Sequence, residues 1–330
     1  MQDRAGSGVC ATDELSSPPP AAGTVSRQYA VTVAGIPEAE VEVDLGLVAR
    51  LLEVQHPDLL DRPMRIAANG WDNVVVRLGD DLAVRGPRRA AAAVLVEHEQ
   101  RVLPRIAPLL PLAVPVPLRV GRPTAFYPWS WSVVPWLRGE VAASVLPSVR
   151  DAWAVPLAEA LAALHVPADA DAPANPVRGV PLAARGEAIR ARMRAGSFAR
   201  AGQLRAAFDR DAAADAYAGP ARWLHGDPHP LNMLCVDARL TALIDFGDVT
   251  AGDPATDLAT GWLTFTPTGR GAFVDRYTTL TGADDATWRR ARAWAAGMAS
   301  AVLGASDDHP ALAAVGRHAV EQILGDRSFV

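Results

Sequence analysis

The sequence contains no lysine, and all 32 basic side chains among its 330 residues are arginine. The arginines are scattered along the chain instead of forming one stripe, and the formal net charge is -5. Proteins that bind nucleic acids concentrate positive charge on one face to meet the phosphate backbone. The sequence therefore argues against a nucleic acid partner.

Cysteine is nearly absent as well. Cys10 lies in a polar leader and Cys235 in an apolar run, and the chain has no other cysteine. Two cysteines in such settings form neither a disulfide framework nor a zinc site. We expect the protein to work in a reducing compartment, the cytoplasm.

Long apolar runs are missing, although hydrophobic residues make up 50% of the chain. Charged residues and prolines interrupt every apolar segment before it reaches the length of about 20 residues that a membrane helix needs. Residues 1–27 contain a proline cluster and lack the apolar core of a signal peptide. We predict a disordered tail over residues 1–27, a globular protein after it, and no membrane partner.

Two short motifs carry the chemistry. The first is His-Gly-Asp-Pro-His-Pro-Leu-Asn at residues 225–232, and the second is Ile-Asp-Phe-Gly-Asp at residues 244–248. Kinase-like enzymes place their oxygen groups in this order. We predict that Asp227 orients or deprotonates an acceptor hydroxyl. Asn232 and Asp245 are predicted to bind Mg²⁺ at the phosphates of a nucleotide.

The interval between the motifs supports this prediction. Residues 233–236 and 240–244 are short apolar runs separated by Asp-Ala-Arg, a pattern typical of a strand, a turn and a strand. A hairpin would return the chain and bring Asn232 close to Asp245, as two ligands of one metal must be. Either motif alone is weak support, but both in this order indicate a nucleotide-dependent phosphotransferase.

With these motifs the chain resembles the aminoglycoside phosphotransferase family, and most of all its actinobacterial branch related to macrolide phosphotransferases. The similarity also includes Trp-Asp-Asn at 71–73, Trp-Leu-Arg-Gly at 136–139 and Gly-Asp-Pro-Ala-Thr-Asp at 252–257. It implies an α+β, two-lobed, protein-kinase-like fold. A small antiparallel-sheet N-lobe with one helix would span residues 28–137, and a larger, mainly helical C-lobe would span residues 138–330.

The resemblance also implies the activity. A phosphate of ATP or GTP would pass to a hydroxyl of a small molecule, with aminoglycoside and macrolide antibiotics as candidate acceptors and antibiotic resistance as the role. Mg²⁺ would be the cofactor, and the protein would be a monomer or a weak dimer. His225 would support the catalytic loop structurally, and Asp257 would support it from the following helix. Asp253 is predicted to cap that helix.

In the N-lobe, residues 74–78 and 82–85 predict a hairpin that is preceded by a turn with one glycine, Gly70. The resemblance implies that this turn covers the nucleotide phosphates. The position of the usual lysine is taken by Arg85, which keeps the charge but offers a planar fork. We predict that Gly70 and Arg85 bind the nucleotide, and the alternative for Arg85 is a solvated surface charge.

Helical spacing over residues 90–103 places Glu99 on one face with Leu95 and Val102. A carboxylate on an apolar face needs a partner. Glu99 is therefore a better candidate than Glu97 for the acid that pairs with Arg85 and holds it toward the phosphates.

Residues 129–137 predict a strand, which the resemblance makes the hinge between the lobes. Its backbone groups would hydrogen-bond the nucleotide base, and we predict these contacts at Val134 and Trp136. Beyond the hinge, helices are predicted over residues 153–164, 183–208, 287–303 and 310–324.

Two other functions fit the same sequence. A metabolic kinase for an amino alcohol or a sugar would keep every catalytic residue and differ only in its pocket. A nucleotide-binding pseudokinase is suggested by Arg85 and the glycine-poor turn, although the intact catalytic motifs argue against it. His229, Asp248 and Trp262 are further candidates for the acceptor pocket, and we assign no chemistry to residues 175–183.

Overall fold

A computed structural model describes residues 38–196, 198–304 and 309–327. These residues belong to one compact unit, Val33–Val330. The tail predicted over residues 1–27 lies outside the described residues. Within the described ranges, no helix has both the length and the apolar character that crossing a membrane requires.

The first half of the fold is an antiparallel sheet of five strands in the order β1-β2-β3-β5-β4. The strands are β1 (Met64–Asn69), β2 (Asn73–Leu78), β3 (Leu82–Pro87), β4 (Arg119–Gly121) and β5 (Trp131–Pro135). In β2 the side chains of Val74, Val76 and Leu78 are buried, whereas the residues between them are partly exposed. This alternation places one face of the strand on a core. The predicted hairpin of β2 and β3 is confirmed.

Two helices accompany this sheet. Helix α1 (Leu45–Gln55) begins at Asp44, whose carboxylate accepts a hydrogen bond of 2.7 Å from the amide of Leu47. Its apolar face belongs to the same hydrophobic core as the strands. Helix α2 (Ala90–Ile106) is the helix predicted over residues 90–103, and its last turns reach the second core of the molecule.

The second half is mainly helical, so the α+β, two-lobed fold class is confirmed. Its helices are α3 (Pro147–Arg150), α4 (Ala154–Leu164), α5 (Leu182–Ala195), α6 (Ala201–Asp211), α7 (Ala255–Leu258), α8 (Thr260–Thr264), α9 (Pro267–Thr281), α10 (Asp285–Leu303) and α11 (Pro310–Gly325). The predicted helices over residues 287–303 and 310–324 correspond to α10 and α11. The division at residues 137 and 138 stays a prediction.

The helix predicted over residues 183–208 is two helices, α5 and α6. Helix α5 ends at Gly196, which has an extended backbone with φ -66° and ψ 131°. Arg200, just before α6, has a left-handed backbone with φ 67°. Both flanking segments are rich in alanine and arginine, which favour helix, and for that reason the sequence pattern did not reveal the break.

Two small sheets hold the catalytic motifs. One contains β6 (Glu140–Val141), β8 (Met233–Val236) and β9 (Arg239–Leu243), and the other pairs β7 (Arg222–Leu224) with β10 (Thr250–Gly252). The predicted hairpin is therefore present as β8 and β9. At its open end the amide of Ile244 donates to the carbonyl of Asn232 over 2.9 Å. The hairpin thus brings the two motifs together.

Candidate active site

Asp257 lies at the base of the catalytic loop and is completely buried. Its carboxylate accepts hydrogen bonds from the amide of His225 at 2.7 Å and from the amide of Gly226 at 2.9 Å. The Nε2 atom of His165 lies 3.1 Å from the same carboxylate. One carboxylate therefore fixes two consecutive backbone amides, which agrees with the supporting position predicted for Asp257.

His225 connects the two motifs. Its Nε2 donates to the carbonyl of Ile244 over 3.1 Å, and its Nδ1 accepts from the amide of Asp227 over 3.3 Å. The next residue, Gly226, has a φ of 91°, and a Cβ atom there would lie 2.3 Å from the carbonyl oxygen of Asp248. Only glycine fits this position. The contacts of His225 are those of a residue that holds the loop, and the supporting role of His225 stays a prediction.

Both carboxylate oxygens of Asp227 face a basic side chain. Nη2 of Arg178 lies 2.8 Å from Oδ1, and Nε2 of His229 lies 3.4 Å from Oδ2. Burial alone would raise the pKa of Asp227, but Arg178 and His229 outweigh it and hold the pKa well below its usual range. The same contact raises the pKa of His229 despite its burial. Asp227 is thus a stable carboxylate, suited to orienting a hydroxyl group.

Arg178 comes from the segment to which the sequence assigned no chemistry. Its Nε lies 3.7 Å from Oδ2 of Asp248, so its guanidinium group spans two aspartates. Asn175 of the same segment donates from Nδ2 to Oδ1 of Asp248 over 2.8 Å. Sequence reasoning missed Arg178 and Asn175 because they lie far along the chain from both motifs. The conformation of the intervening chain alone brings them to the site.

Asn232 and Asp245 present oxygen atoms on one side of this loop. The Nδ2 atom of Asn232 donates to the carbonyl of Asp227 over 3.0 Å, which leaves its amide oxygen to face outward. Asp245 has a left-handed backbone with φ 61°, and its side chain is 54% exposed. The described residues contain no cluster of three or more His, Cys, Asp or Glu side chains that could hold a metal. The two oxygen ligands Asn232 and Asp245 fit Mg²⁺, which is usually bound through one or two protein ligands together with phosphates.

The predicted ion pair between Arg85 and Glu99 is present. Nη1 of Arg85 lies 2.9 Å from Oε1 of Glu99, and both side chains are buried. Nη2 of Arg85 also lies 3.4 Å from Oδ1 of Asp245. Glu97 is exposed and accepts a hydrogen bond only from Ser130 among the described residues. Arg85 is therefore held between Glu99 of helix α2 and the candidate metal ligand Asp245.

Glu99 should make the stability depend on pH. Burial raises its pKa to about 7, against the opposing effect of Arg85. A raised pKa stabilises the folded protein in acid, and this contribution is lost as the pH rises through the folded pKa. The variant Glu99→Gln cannot titrate. Between pH 5 and pH 8, its free energy of unfolding should therefore increase by about 2–3 kcal/mol relative to the wild type.

Urea denaturation at the two pH values measures this difference. The control is Glu97→Gln, two positions away on the exposed side of the same helix. We expect this variant to follow the wild type. Equal pH dependence in Glu99→Gln and wild type would contradict the assignment.

The turn at Gly70 is held by internal hydrogen bonds. The amide of Gly70 donates to the carbonyl of Asn73 over 2.9 Å, and its carbonyl accepts from Nη1 of Arg88 over 2.9 Å. Asp72 of the same turn also forms an ion pair with Arg89 at 2.6 Å. The Gly70 amide therefore already has an acceptor within the turn, and nucleotide binding by Gly70 stays a prediction. Gly70 keeps its place in the wall of the cleft.

A cleft of about 720 Å³ contains these groups. Its walls include the predicted nucleotide residues and the hinge: Gly70, Asp72, Arg85, Val134, Pro135, Trp136, Leu137, Asn232 and Asp245. The amide of Trp136 donates to the carbonyl of Asp81 over 2.7 Å. In an antiparallel ladder, residue pairs that are hydrogen-bonded to each other alternate along the strands with pairs that are not. The backbone groups of Val134, opposite Ala83, then also point into the sheet, so the predicted base contacts of Val134 and Trp136 are not available from their amides.

Two other candidate residues are structural. Trp262 is completely buried, and its indole N–H donates to Asp326 over 2.8 Å. It is therefore a core residue and does not form a pocket wall. Asp253 accepts from the amide of Ala255 over 3.0 Å at the start of α7 and pairs with Nε of Arg290 at 2.7 Å. The N-cap residue of α7 is Pro254, without a side-chain cap, so Asp253 is structural but does not have the capping role predicted for it.

Comparison with known proteins gives a consistent result. Residues 64–294 match the family described as the phosphotransferase enzyme family, APH. A search of curated protein sequences gave no significant match.

Several solved structures are similar to this chain. The GDP and kanamycin complex of APH(2")-IIia has a TM-score of 0.63 at 18% identity, covering 84% of this chain and 99% of that chain. The apoenzyme of macrolide 2'-phosphotransferase MphH from Brachybacterium faecium has a TM-score of 0.56 at 25% identity, covering 83% and 97%. A macrolide 2'-phosphotransferase type I has a TM-score of 0.54 at 20% identity, covering 83% and 97%.

Proposed function

Because this chain belongs to the phosphotransferase enzyme family, we propose that it transfers the γ-phosphoryl group of ATP or GTP to a hydroxyl of an aminoglycoside or macrolide antibiotic. The observation that carries this proposal is that the catalytic loop and the hairpin bring Asp227, Asn232 and Asp245 together, with Asn232 and Asp245 in the wall of the cleft. The hydrogen bonds from Asn232 to Asp227 and from Ile244 to Asn232 hold these three residues together. Phosphoryl transfer needs an acid at the hydroxyl and oxygen ligands at the phosphates.

The nucleotide base would bind at the hinge. Since the ladder uses the amide of Trp136, the alternation of hydrogen bonds leaves the carbonyl of Pro135 and the amide of Leu137 directed out of the sheet. Both residues line the cleft. We assign the two base contacts to these groups, in place of Val134 and Trp136.

The phosphates would bind beside Arg85 and the candidate metal ligands. Arg85 offers a planar fork that matches phosphate oxygens, and Glu99 restricts its side chain. Asn232 and Asp245 would hold Mg²⁺ through oxygen atoms, and a bound magnesium ion neutralises charge on the β- and γ-phosphates. Arg85 contacts Asp245 directly, so the cation side chain and the metal ligand form one charged group.

The transfer step follows from this arrangement. The acceptor oxygen forms a bond to the γ-phosphorus as the bond from phosphorus to the β,γ-bridging oxygen breaks, and ADP or GDP leaves. The hydroxyl proton passes to the carboxylate of Asp227 and then to solvent. The depressed pKa of Asp227 makes it a weak base. Its main contribution is therefore orientation, as expected where the transition state is loose.

A direct assay tests the proposal. The purified protein is incubated with Mg-ATP or Mg-GTP and with macrolides, aminoglycosides and simple amino alcohols, and products are identified by mass spectrometry. We expect a product one phosphate heavier from an antibiotic with at least one donor. A product from an amino alcohol alone would instead establish the metabolic kinase. Nucleotide binding without any product would establish the pseudokinase.

A further inference from the structure

We propose that Arg178 determines which acceptors this enzyme accepts, by disfavouring polyamines and favouring alcohols with at most one positive charge. The inference rests on the proposed function, because it concerns the acceptor side of the same site. Arg178 lies beside Asp227, where the acceptor hydroxyl must bind. Its effect on the acceptor is therefore direct.

The first support is the charge balance around the catalytic loop. A polyamine binds well where several carboxylates lack partners. Each free carboxylate then gives an ammonium group a counter-charge that compensates for the hydration that the group loses on binding. Here four aspartates of the catalytic loop and the cleft each lie against a basic side chain. The pairs are Asp227 with Arg178 and His229, Asp248 with Arg178, Asp245 with Arg85, and Asp72 with Arg89. Glu140, a more distant carboxylate of the cleft wall, accepts from the hydroxyl of Ser144.

The second support is the rigidity of the segment that carries Arg178. The side-chain oxygen of Asn175 accepts from the amides of Val177 at 2.9 Å and Arg178 at 3.0 Å, which forms a tight turn. Gly179 follows with φ 67°, and a Cβ atom there would lie 2.9 Å from the carbonyl of Ala251. The backbone on both sides of Arg178 is thus fixed. Moving the guanidinium group away for a cationic acceptor would break its contacts with two aspartates.

The experiment compares two acceptors in three variants. Kanamycin is the polyamine, and a macrolide with one tertiary amine is the low-charge acceptor. Both kcat/KM and the binding constant by calorimetry are measured for each. Arg178→Met removes the charge and keeps an unbranched but shorter side chain, whereas Arg178→Lys keeps the charge. Arg276→Met is the matched control, since Arg276 is a partly exposed arginine that pairs with Glu159 at 2.6 Å.

We expect the wild type to prefer the macrolide. In Arg178→Met, the ratio of kcat/KM for kanamycin to that for the macrolide should rise about tenfold or more, which is the low end of the effect of a local field on a charged ligand. The ratio should stay at the wild-type value in Arg178→Lys and Arg276→Met. A loss of folding would lower kcat/KM for both acceptors by the same factor and would leave their ratio unchanged.

Two results would overturn the inference. One is a wild type that prefers kanamycin, and the other is an unchanged ratio in a folded Arg178→Met variant. The binding constants separate this inference from the proposed function. If the macrolide binds more tightly than kanamycin but is not phosphorylated, the proposed function fails and the selectivity stands. If neither acceptor binds, the selectivity fails as well.

Discussion

Replacement of Asp227 by Asn is expected to lower kcat by about 10²–10⁴-fold, the range for loss of a positioned acid–base group. The amide cannot take the hydroxyl proton, and Arg178 and His229 lose the carboxylate that they contact. The nucleotide groups at the hinge and at Arg85 are unchanged. The affinity for Mg-nucleotide, measured by calorimetry, should therefore stay within a few-fold of the wild type.

The control for this prediction is Asp209→Asn. Asp209 is an exposed residue of α6 that pairs with Nε of Arg190 at 2.6 Å. This variant should keep the wild-type kcat. A kcat within about threefold of the wild type in Asp227→Asn would show that another group orients the acceptor, because positioned acids contribute at least about 10²-fold.

Replacement of Asp257 by Ala is expected to lower the free energy of unfolding by about 3–5 kcal/mol. The amides of His225 and Gly226 lose their acceptor in a completely buried place, and each unsatisfied group costs about 1–3 kcal/mol. The imidazole of His165 loses its partner as well. Urea denaturation measures the stability, and the activity of the remaining folded protein should fall because the catalytic loop is released.

Asp275→Ala is the matched control for this stability effect. Asp275 is exposed on α9, and surface substitutions of this kind usually change the stability by less than about 0.5 kcal/mol. A loss in Asp257→Ala as small as the loss in Asp275→Ala would mean that water replaces the carboxylate, and that the loop does not depend on Asp257.

The sequence predicted the parts of the site that lie close together in the chain. Asp227 and Asn232 are five positions apart on one loop, and the hairpin of β8 and β9 returns the chain to Asp245. The choice of Glu99 followed from helical spacing, because only one of the two candidate glutamates lies on the apolar face of α2, whereas its partner Arg85 was implied by the family resemblance. Local periodicity and turn chemistry are sufficient for such contacts.

Other features depend on contacts that no local pattern encodes. Arg178 reaches Asp227 across 49 positions of the chain, and its segment has neither helical nor strand periodicity. Strand β1 was not predicted, because its exposed and partly exposed residues follow no strict alternation. The strand predicted for the hinge is present as β5, but which of its backbone groups are free depends on the register between β3 and β5.

The presence of arginine at position 85 also determines which chemical probes can react in this cleft. Acylating nucleotide probes label kinases by reaction with a neutral primary amine, and a lysine near the phosphates supplies one when it loses its proton. Arginine stays protonated at all working pH values and is a poor nucleophile. Since the chain has no lysine, such probes should leave its nucleotide site unmodified, and a reversible ligand is the appropriate reporter of occupancy.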